Sequence, residues 1–260
     1  MSAKPFLAGG RALVASAPRR VSVPRTVRRI AVRADAAVSG AFKLDQPGKN
    51  LPQVTVAMKF GGSSVRDAER MREVANIICS FPDQCPAVVL SAMGKSTNLL
   101  LECAELALKT SPNLIPEMMC LREVKTLHRD TVVELDIDTA TREEVEELLK
   151  NLEKLLVGIS MMNELTLRGR DTLVSFGERL STRIFAGYLR RCGVNARQLD
   201  AFDIGFISTD DFTNGQLLPA TYAKLRCALA AFGRPHAPPP ALFCVVRSTP
   251  YALCPMPCAL

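Results

Sequence analysis

A lysine followed by two glycines and two serines separates an apolar segment from an amphipathic one, in the run Lys59-Phe60-Gly61-Gly62-Ser63-Ser64-Val65. A lysine supplies a mobile positive charge for a bridging phosphate, and glycines let the backbone approach phosphate oxygens without a Cβ in the way. The hydroxyls of Ser63 and Ser64 can cap the following helix or donate to a ligand. The run is neither a Walker A loop nor a dinucleotide fingerprint, so a plain tight turn is the alternative interpretation.

A second turn, Ser91-Ala92-Met93-Gly94-Lys95-Ser96-Thr97-Asn98, also follows an apolar run and precedes a helical pattern. Small hydroxyls and backbone N–H groups at the start of a helix suit a carboxylate. The alternatives are that Thr97 is an ordinary N-cap residue and that Lys95 is a solvated side chain.

A third run, Ser175-Phe176-Gly177-Glu178-Arg179-Leu180-Ser181, falls inside a helical pattern. Because a glycine within a helix costs ~1 kcal/mol relative to alanine, Gly177 predicts the close approach of another element. None of the residues three or four positions from Glu178 is basic, so an ion pair along the helix does not explain this carboxylate. As a ligand group, Glu178 would accept hydrogen bonds from an ammonium group; a solvated glutamate is the alternative.

The first two runs occur within an alternation of strand and helix patterns. Residues 54–58 and 87–90 predict short buried strands, and each is followed by a turn and an amphipathic helix. That order predicts parallel strands with right-handed crossovers. Because ligands in such folds lie at the C-terminal ends of the strands, we expect Lys59 and Ser91 at one edge of the sheet.

The middle of the chain is predicted to be helical. Thr141 and Glu144 predict a capping box, and the leucine-rich stripe from Val145 to Ile159 is typical of a core face. A further helix is expected over residues 171–191, and two further strands over residues 196–199 and 206–208.

Positive charge is concentrated at the start of the chain. The net charge is +7, and residues 1–34 hold eight basic groups and no acid, so the remainder sums to −1. Residues 35–260 are nearly neutral in sum and therefore give no indication of a nucleic-acid partner. The sequence contains no apolar run of 18 residues, so no membrane span is predicted. The Arg-rich, acid-free leader lacks a secretory apolar core and predicts an organelle transit peptide, with a disordered basic tail as the alternative.

Nine cysteines occur and none forms a Cys-x-x-Cys pair. Five of them are interpreted as buried thiols of a reducing compartment: Cys79, Cys85, Cys103, Cys120 and Cys192. The later cluster of Cys244, Cys254 and Cys258 near His236 matches no zinc module, and no metal site is predicted.

Together with Asp203-Ile204-Gly205-Phe206-Ile207-Ser208-Thr209-Asp210-Asp211-Phe212, the three runs resemble the aspartate kinase family, especially its plant monofunctional members, over residues 53–222. The resemblance implies an α/β amino-acid kinase fold similar to carbamate kinase, a three-layer sandwich with a mainly parallel sheet. It also implies that ATP, with Mg²⁺, phosphorylates the β-carboxylate of L-aspartate. The product would be 4-phospho-L-aspartate, the first intermediate towards lysine, threonine and methionine.

The resemblance also assigns residue roles and a compartment. Lys59 would be the catalytic residue and would hold the ATP phosphates with Gly61, Gly62, Ser63 and Ser64. The L-aspartate substrate would contact Ser91 and Thr97, and its α-amino group would contact Glu178. The compartment would be the plastid stroma. A homo-oligomer, as in the family, is left open, whereas nucleic acid and membranes are not expected.

The expected domains are a transit peptide and linker (1–49), the N-terminal part of the kinase domain (50–222) and a tail unlike the family (223–260). Because the tail is rich in proline and cysteine, it is expected to contain no central strand. The family's Gly-Arg-Gly-Gly-Ser-Asp segment and its ACT domains do not occur. We therefore expect a truncated domain with negligible activity. The alternatives are an inactive chain that associates with full-length subunits and a kinase of another amino acid.

Overall fold

The computed structural model describes residues 54–211, 215–231 and 242–246. Strands and helices alternate through these ranges, and short 3-10 helices occupy Gly62–Val65 and Pro112–Glu117. The elements in chain order are β1 (Val56–Phe60), α1 (Ala68–Cys79), β2 (Pro86–Leu90), α2 (Ser96–Ala107), α3 (Met119–Glu134), α4 (Thr139–Met162), α5 (Leu167–Arg191), β3 (Ala196–Leu199), α6 (Ala220–Ala231) and β4 (Leu242–Val246).

The described strands form a four-stranded sheet in the order β1-β2-β4-β3. Every neighbouring pair is parallel, with Lys59 opposite Val89 and Gln198 opposite Cys244. The predicted parallel α/β class is therefore confirmed. β1 begins and ends two residues later than the predicted strand, so Lys59 lies within the strand rather than after it.

β4 shows that the expectation of no central strand after residue 222 is wrong. Leu242–Val246 pairs with β2 on one side and with β3 on the other. The reason is local, because this five-residue run is apolar and rich in valine and phenylalanine, and the nearby prolines flank it without interrupting it.

The strand expected over residues 206–208 is absent from the described part of the sheet. Ser208 makes only an isolated antiparallel bridge to Leu217. The Thr221 hydroxyl accepts from the Ile207 N–H at 2.9 Å and donates to the Ile207 carbonyl at 2.8 Å. The Ile207 carbonyl also accepts from the Leu218 N–H, and the Thr209 N–H donates to the Gln216 carbonyl, both at 2.9 Å. Residues 216–221 therefore satisfy this backbone instead of the sheet.

Apolar packing covers both faces of the sheet. On one face, Val88 and Leu90 are completely buried in a large cluster to which α1 to α5 contribute. On the other face, a smaller cluster includes Leu199 and Ile204, and residues of α6 pack against it. Helices therefore lie on both sides of a parallel sheet, as the three-layer prediction requires.

The ends of the helices differ from the predicted ones in detail. The N-cap of α4 is Asp138, whose carboxylate accepts from the Thr141 N–H at 2.9 Å and from its hydroxyl at 2.7 Å. The predicted capping box of Thr141 and Glu144 is wrong, because Thr141 lies inside the helix and is itself a donor to the cap. The stripe from Val145 to Ile159 belongs to the core, as predicted.

The predicted burial of the cysteines is confirmed for three of the five. Cys85, Cys103 and Cys120 are buried, whereas Cys79 and Cys192 are exposed. The exposed pair stands where α1 ends and where α5 has just ended, and both positions face solvent. The predicted transit peptide and linker, and the side chains of the Cys244 cluster, lie outside the described residues.

Candidate functional site

The first two candidate turns leave the sheet side by side. Lys59 and Phe60 of β1 pair with Val89 and Leu90 of β2. Beyond the paired strands, the Ser91 N–H donates to the Phe60 carbonyl at 3.2 Å. Because both strands run in the same direction, Lys59 and Ser91 reach the same C-terminal edge of the sheet, as predicted.

The two turns also interlock. The Gly94 N–H donates to the Gly62 carbonyl at 3.0 Å. A Cβ on Gly62 would lie 2.6 Å from the Ala92 carbonyl oxygen, a distance that no real side chain tolerates. A glycine is therefore required at residue 62 by contact with the second turn, in addition to any role towards a ligand.

The ammonium group of Lys59 lies beside the glycine pair. A Cβ added to Gly61 would be 3.7 Å from Lys59 Nζ, which places the charge directly over the turn. Lys59 is an exposed residue of a strand whose alternate side chains, Met58 and Phe60, pack into the core. The backbone thus fixes the stem of the lysine while its charged end faces the space above the turn.

The start of α1 differs from the predicted anion site. Ser63 and Ser64 lie in a four-residue 3-10 helix, and α1 begins only at Ala68. The carboxylate of Asp67 accepts from the Arg70 N–H at 2.9 Å and fills the first turn of α1. This hydrogen bond, reinforced by Arg66, lowers the pKa of Asp67. A phosphate bound here would therefore meet Lys59 and the 3-10 turn instead of the α1 dipole.

The start of α2, in contrast, has no side-chain cap. Lys95 occupies the N-cap position and makes no capping hydrogen bond, so the interpretation of Thr97 as the N-cap is wrong. Thr97 is the second residue of the helix and is partly exposed. Ser96 is completely buried, and its hydroxyl has no hydrogen-bond partner within the described ranges. This helix end can accept an anion that α1 cannot.

α5 packs directly on the second turn. A Cβ on Gly177 would lie 2.9 Å from the Ala92 Cβ and 3.3 Å from Leu100 Cδ1, which confirms the predicted close approach. The Ser181 hydroxyl donates to the Ser91 carbonyl at 2.8 Å. The glycine and the serine, one turn apart on α5, therefore fix the position of the second turn.

Glu178 follows Gly177 and is only 3% exposed, so the alternative of a solvated glutamate is wrong. Its backbone carbonyl accepts from the hydroxyls of Ser181 and Thr182, both at 3.0 Å. These bonds tie the residue to the turn of α5 that contacts Ser91. The fold, and not solvent, therefore sets the position of Glu178.

Sequence reasoning missed an ion-pair cluster at the same edge of the sheet. Asp200, the first residue after β3, accepts from Arg183 at 3.2 and 2.9 Å, and Arg179 Nε lies 3.6 Å away. Burial alone would raise the pKa of Asp200, but the hydrogen bonds and charge of Arg183, with Arg179, hold it below its ordinary value. The sequence signal that could have indicated this cluster is Asp200 itself, an acid directly after a predicted strand.

The described residues give no indication of a metal cluster or of a membrane-spanning helix. No group of three or more His, Cys, Asp or Glu side chains in these ranges could hold a metal ion. None of the helices in the same ranges is both long enough and apolar enough to cross a membrane.

Comparison with protein families gives a match over most of the chain. Residues 54–236 match the model of the amino acid kinase family. This span contains all the described residues except β4, and it continues past residue 222, where the kinase part was predicted to end.

Two curated plant proteins are similar over much of this chain. Aspartokinase 1, chloroplastic, of Arabidopsis thaliana is 58% identical over 169 residues, covering 65% of this chain and 29% of that protein. Aspartokinase 3, chloroplastic, of the same plant is 49% identical over 211 residues, covering 77% and 37%. The chain therefore spans about a third of the length of these relatives.

The fold is similar to that of a solved bacterial enzyme. Escherichia coli aspartokinase III in complex with aspartate and ADP, in its R-state, superposes with a TM-score of 0.62 at 29% identity. The similarity covers 74% of this chain and 40% of that chain.

Proposed function

This chain belongs to the amino acid kinase family, and from that membership we propose that its site serves aspartate kinase chemistry. In that reaction the γ-phosphoryl group of ATP is transferred to the β-carboxylate of L-aspartate. The observation that carries the proposal is the interlocking of the two turns, with Lys59, Ser91 and Glu178 placed around one sheet edge. The similarity to plant aspartokinases, and to a bacterial aspartokinase solved with aspartate and ADP, supports it.

The first turn forms the nucleotide side of the proposed site. Lys59 neutralises charge on the ATP phosphates, and its ammonium group already lies over Gly61. Gly61 and Gly62 allow phosphate oxygens to approach the backbone, and the hydroxyls of Ser63 and Ser64 complete the set of donors. A mobile lysine suits this role because it can follow the phosphoryl group as charge develops.

The second turn and α5 form the amino-acid side. The uncapped start of α2, with Thr97 in its first helical turn, offers donors to a substrate carboxylate. Ser91 is the first residue of the loop that leads from β2 to this helix. Glu178, buried in the turn of α5 that contacts Ser91, would accept from the α-amino group.

The chemistry needs no nucleophile from the protein, since the substrate carboxylate attacks the phosphorus. The protein holds two anions in line and offsets their repulsion through Lys59 and backbone donors. Mg²⁺ accompanies ATP in such transfers, and the described residues contain no cluster of three or more His, Cys, Asp or Glu side chains that could hold it. Mg²⁺ would therefore be held mainly by the ATP phosphates and water, with at most one or two carboxylates.

We also propose the plastid as the compartment. The two Arabidopsis relatives are named chloroplastic, and residues 1–34 have the composition of a transit peptide. A fluorescent reporter fused behind residues 1–49 is expected to enter plastids; retention in the cytosol would contradict the proposal.

ATP binding by the 260-residue chain tests the proposed site. The Lys59→Ala substitution is expected to weaken ATP binding roughly ten- to hundredfold, as the loss of a charged hydrogen bond does. The control Lys109→Ala removes an exposed lysine just beyond α2 and is expected to bind ATP normally. Calorimetric titration would contradict the proposal if the chain bound no ATP, or if Lys59→Ala bound it as the wild type does.

A further inference from the structure

Two thiols that take no part in the candidate site lie against each other in the core. Cys103 of α2 and Cys120 of α3 are 0% and 3% exposed, and their sulfur atoms are 2.7 Å apart. Both are free cysteines, and their sulfur atoms are in direct contact. The pair spans the interface between α2 and α3, so a bond between the sulfurs would tie the two helices together.

Cys120 is the better placed of the two to react first. It is the second residue of α3, and Met118 at the N-cap position makes no side-chain capping bond. An uncapped first turn opens more readily than the middle of a helix. In the folded chain burial raises the pKa of Cys120, and hydrogen bonds with Cys103 and the Leu121 N–H act against that rise. Once solvent reaches this turn, the helix N-terminus favours the thiolate.

The folded structure protects both thiols from reaction. Burial raises the pKa of both thiols, with the larger effect at Cys103, which lies in the middle of α2. Because the thiolate is the reactive form, neither thiol reacts readily while α3 is intact. Opening of the first turn of α3 is therefore the step that controls access to both sulfurs.

We propose that Cys120 and Cys103 are an oxidation site, at which thiol–disulfide exchange forms a reversible bond between α2 and α3. The Cys120 thiolate attacks one sulfur of an external disulfide, such as oxidised glutathione, and releases one reagent thiol. The Cys103 thiolate then attacks the Cys120 sulfur of this mixed disulfide and releases the second reagent thiol. Two protein thiols lose two electrons and two protons, which reduce the reagent disulfide to two thiols.

The bond has a mechanical consequence for the fold. It closes a loop from residue 103 to residue 120 and holds the first turn of α3 against α2. Cross-linking a loop of this size is expected to raise the thermal midpoint by roughly 5–10 °C. The proposal does not depend on ATP or aspartate binding, so failure of one proposal leaves the other standing.

The test equilibrates the full 260-residue chain with graded mixtures of oxidised and reduced glutathione. Remaining thiols are then blocked with a maleimide in denaturant, and proteolytic peptides are mapped by mass spectrometry without reduction. The expected product is a peptide pair joined through Cys103 and Cys120, which reducing agent restores to two thiols. The exposed Cys79 and Cys192 serve as internal controls for the reach of the reagent.

Two results would overturn the proposal. One is that Cys103 and Cys120 remain free at mixtures that already modify Cys79 and Cys192. The other is that the joined protein melts no higher than the reduced protein. The Cys120→Ser variant is expected to lose the shift in midpoint, whereas the control Cys79→Ser is expected to keep it. The mapping of the wild-type chain stands even if a variant folds poorly.

Discussion

Among the residues that the structure describes, the two faces of the sheet are packed to very different extents. On one face, five helices bury Val88 and Leu90 within a continuous apolar cluster that extends to Ile184 and Phe185. On the other face, the buried cluster is small, with Ile204 among its members, and the residues of α6 beside it are only partly buried. Within the described ranges, the helical face contributes most of the buried apolar core, and the other face is only lightly covered.

The candidate site draws on both faces. Lys59 is exposed and lies opposite Val89, a residue of the lightly covered face. Gly177 and Ser181 reach the second turn from α5, the longest element of the helical face. In the proposed site, Lys59 would therefore approach a ligand from the lightly covered face, and the turns that hold the ligand would be anchored on the helical face.

The largest expected effect compares one substitution on the two faces. Ile184→Ala in the large cluster is expected to lower the free energy of unfolding by about 4 kcal/mol, because the surrounding helices cannot collapse into the cavity. Ile204→Ala in the small cluster is expected to cost about 2 kcal/mol, since its neighbours can relax towards solvent. Urea denaturation measures both, and equal losses would show that the two faces do not differ in packing.

The second prediction concerns buried titratable groups in the helical layer. Burial lowers the pKa of His128 on α3 to about 4 and raises the pKa of Asp171 on α5 to about 6. The unfolded chain takes up the histidine proton first, so His128 costs about 3 kcal/mol of stability as pH falls from 6.5 to 4. The folded chain takes up the aspartate proton first, so Asp171 increases the free energy of unfolding by a similar amount, about 3 kcal/mol, as pH falls from 6 to 3.8.

The two contributions therefore oppose each other between pH 6 and pH 4. Asp171→Asn is expected to lose stability more steeply than the wild type as pH falls through this window, and His128→Gln less steeply. Urea midpoints measured at several pH values report both slopes. If neither variant changed the slope, the buried groups would not titrate as their environment requires.

The third prediction moves to the edge of the sheet, where arginine partners outweigh the effect of burial on the pKa of a buried aspartate. Asp200 is kept charged by Arg183 and Arg179, so Asp200→Asn is expected to cost about 2 kcal/mol by removing a charged hydrogen-bond acceptor. Its contribution to stability is present at neutral pH and is lost as pH falls below 3.8 through the lowered folded-state pKa. The control Asp203→Asn removes an exposed carboxylate nearby and should leave the urea midpoint almost unchanged. Equal effects would mean that the ion pair adds nothing.

The helical face was largely predictable from the sequence, because helix periodicity reports burial directly. The stripe from Val145 to Ile159 and the helix around Phe176 and Ile184 belong to the core as their spacing predicts. Gly177 predicted a close approach for a similar reason, since a glycine inside a helix is costly unless something packs against it.

Capping and long-range pairing were less predictable. Asp138 caps α4, and the identity of the capping residue depends on the residue at which the helix begins, which sequence patterns do not define. β4 is apolar but flanked by prolines, and its place between β2 and β3 is set by pairing partners distant in the sequence. The Asp200 cluster was missed because its arginines come from α5, at a separation that no local pattern reports.

The assignment of Glu178 to the substrate amine is the central claim, and calorimetric titration with L-aspartate tests it most directly. Glu178→Gln is expected to weaken L-aspartate binding roughly ten- to hundredfold, as the loss of one charged hydrogen bond does, and to leave ATP binding unchanged. The control Glu147→Gln alters an exposed glutamate of α4 and is expected to bind both ligands normally. Wild-type affinity of Glu178→Gln for L-aspartate would contradict the account.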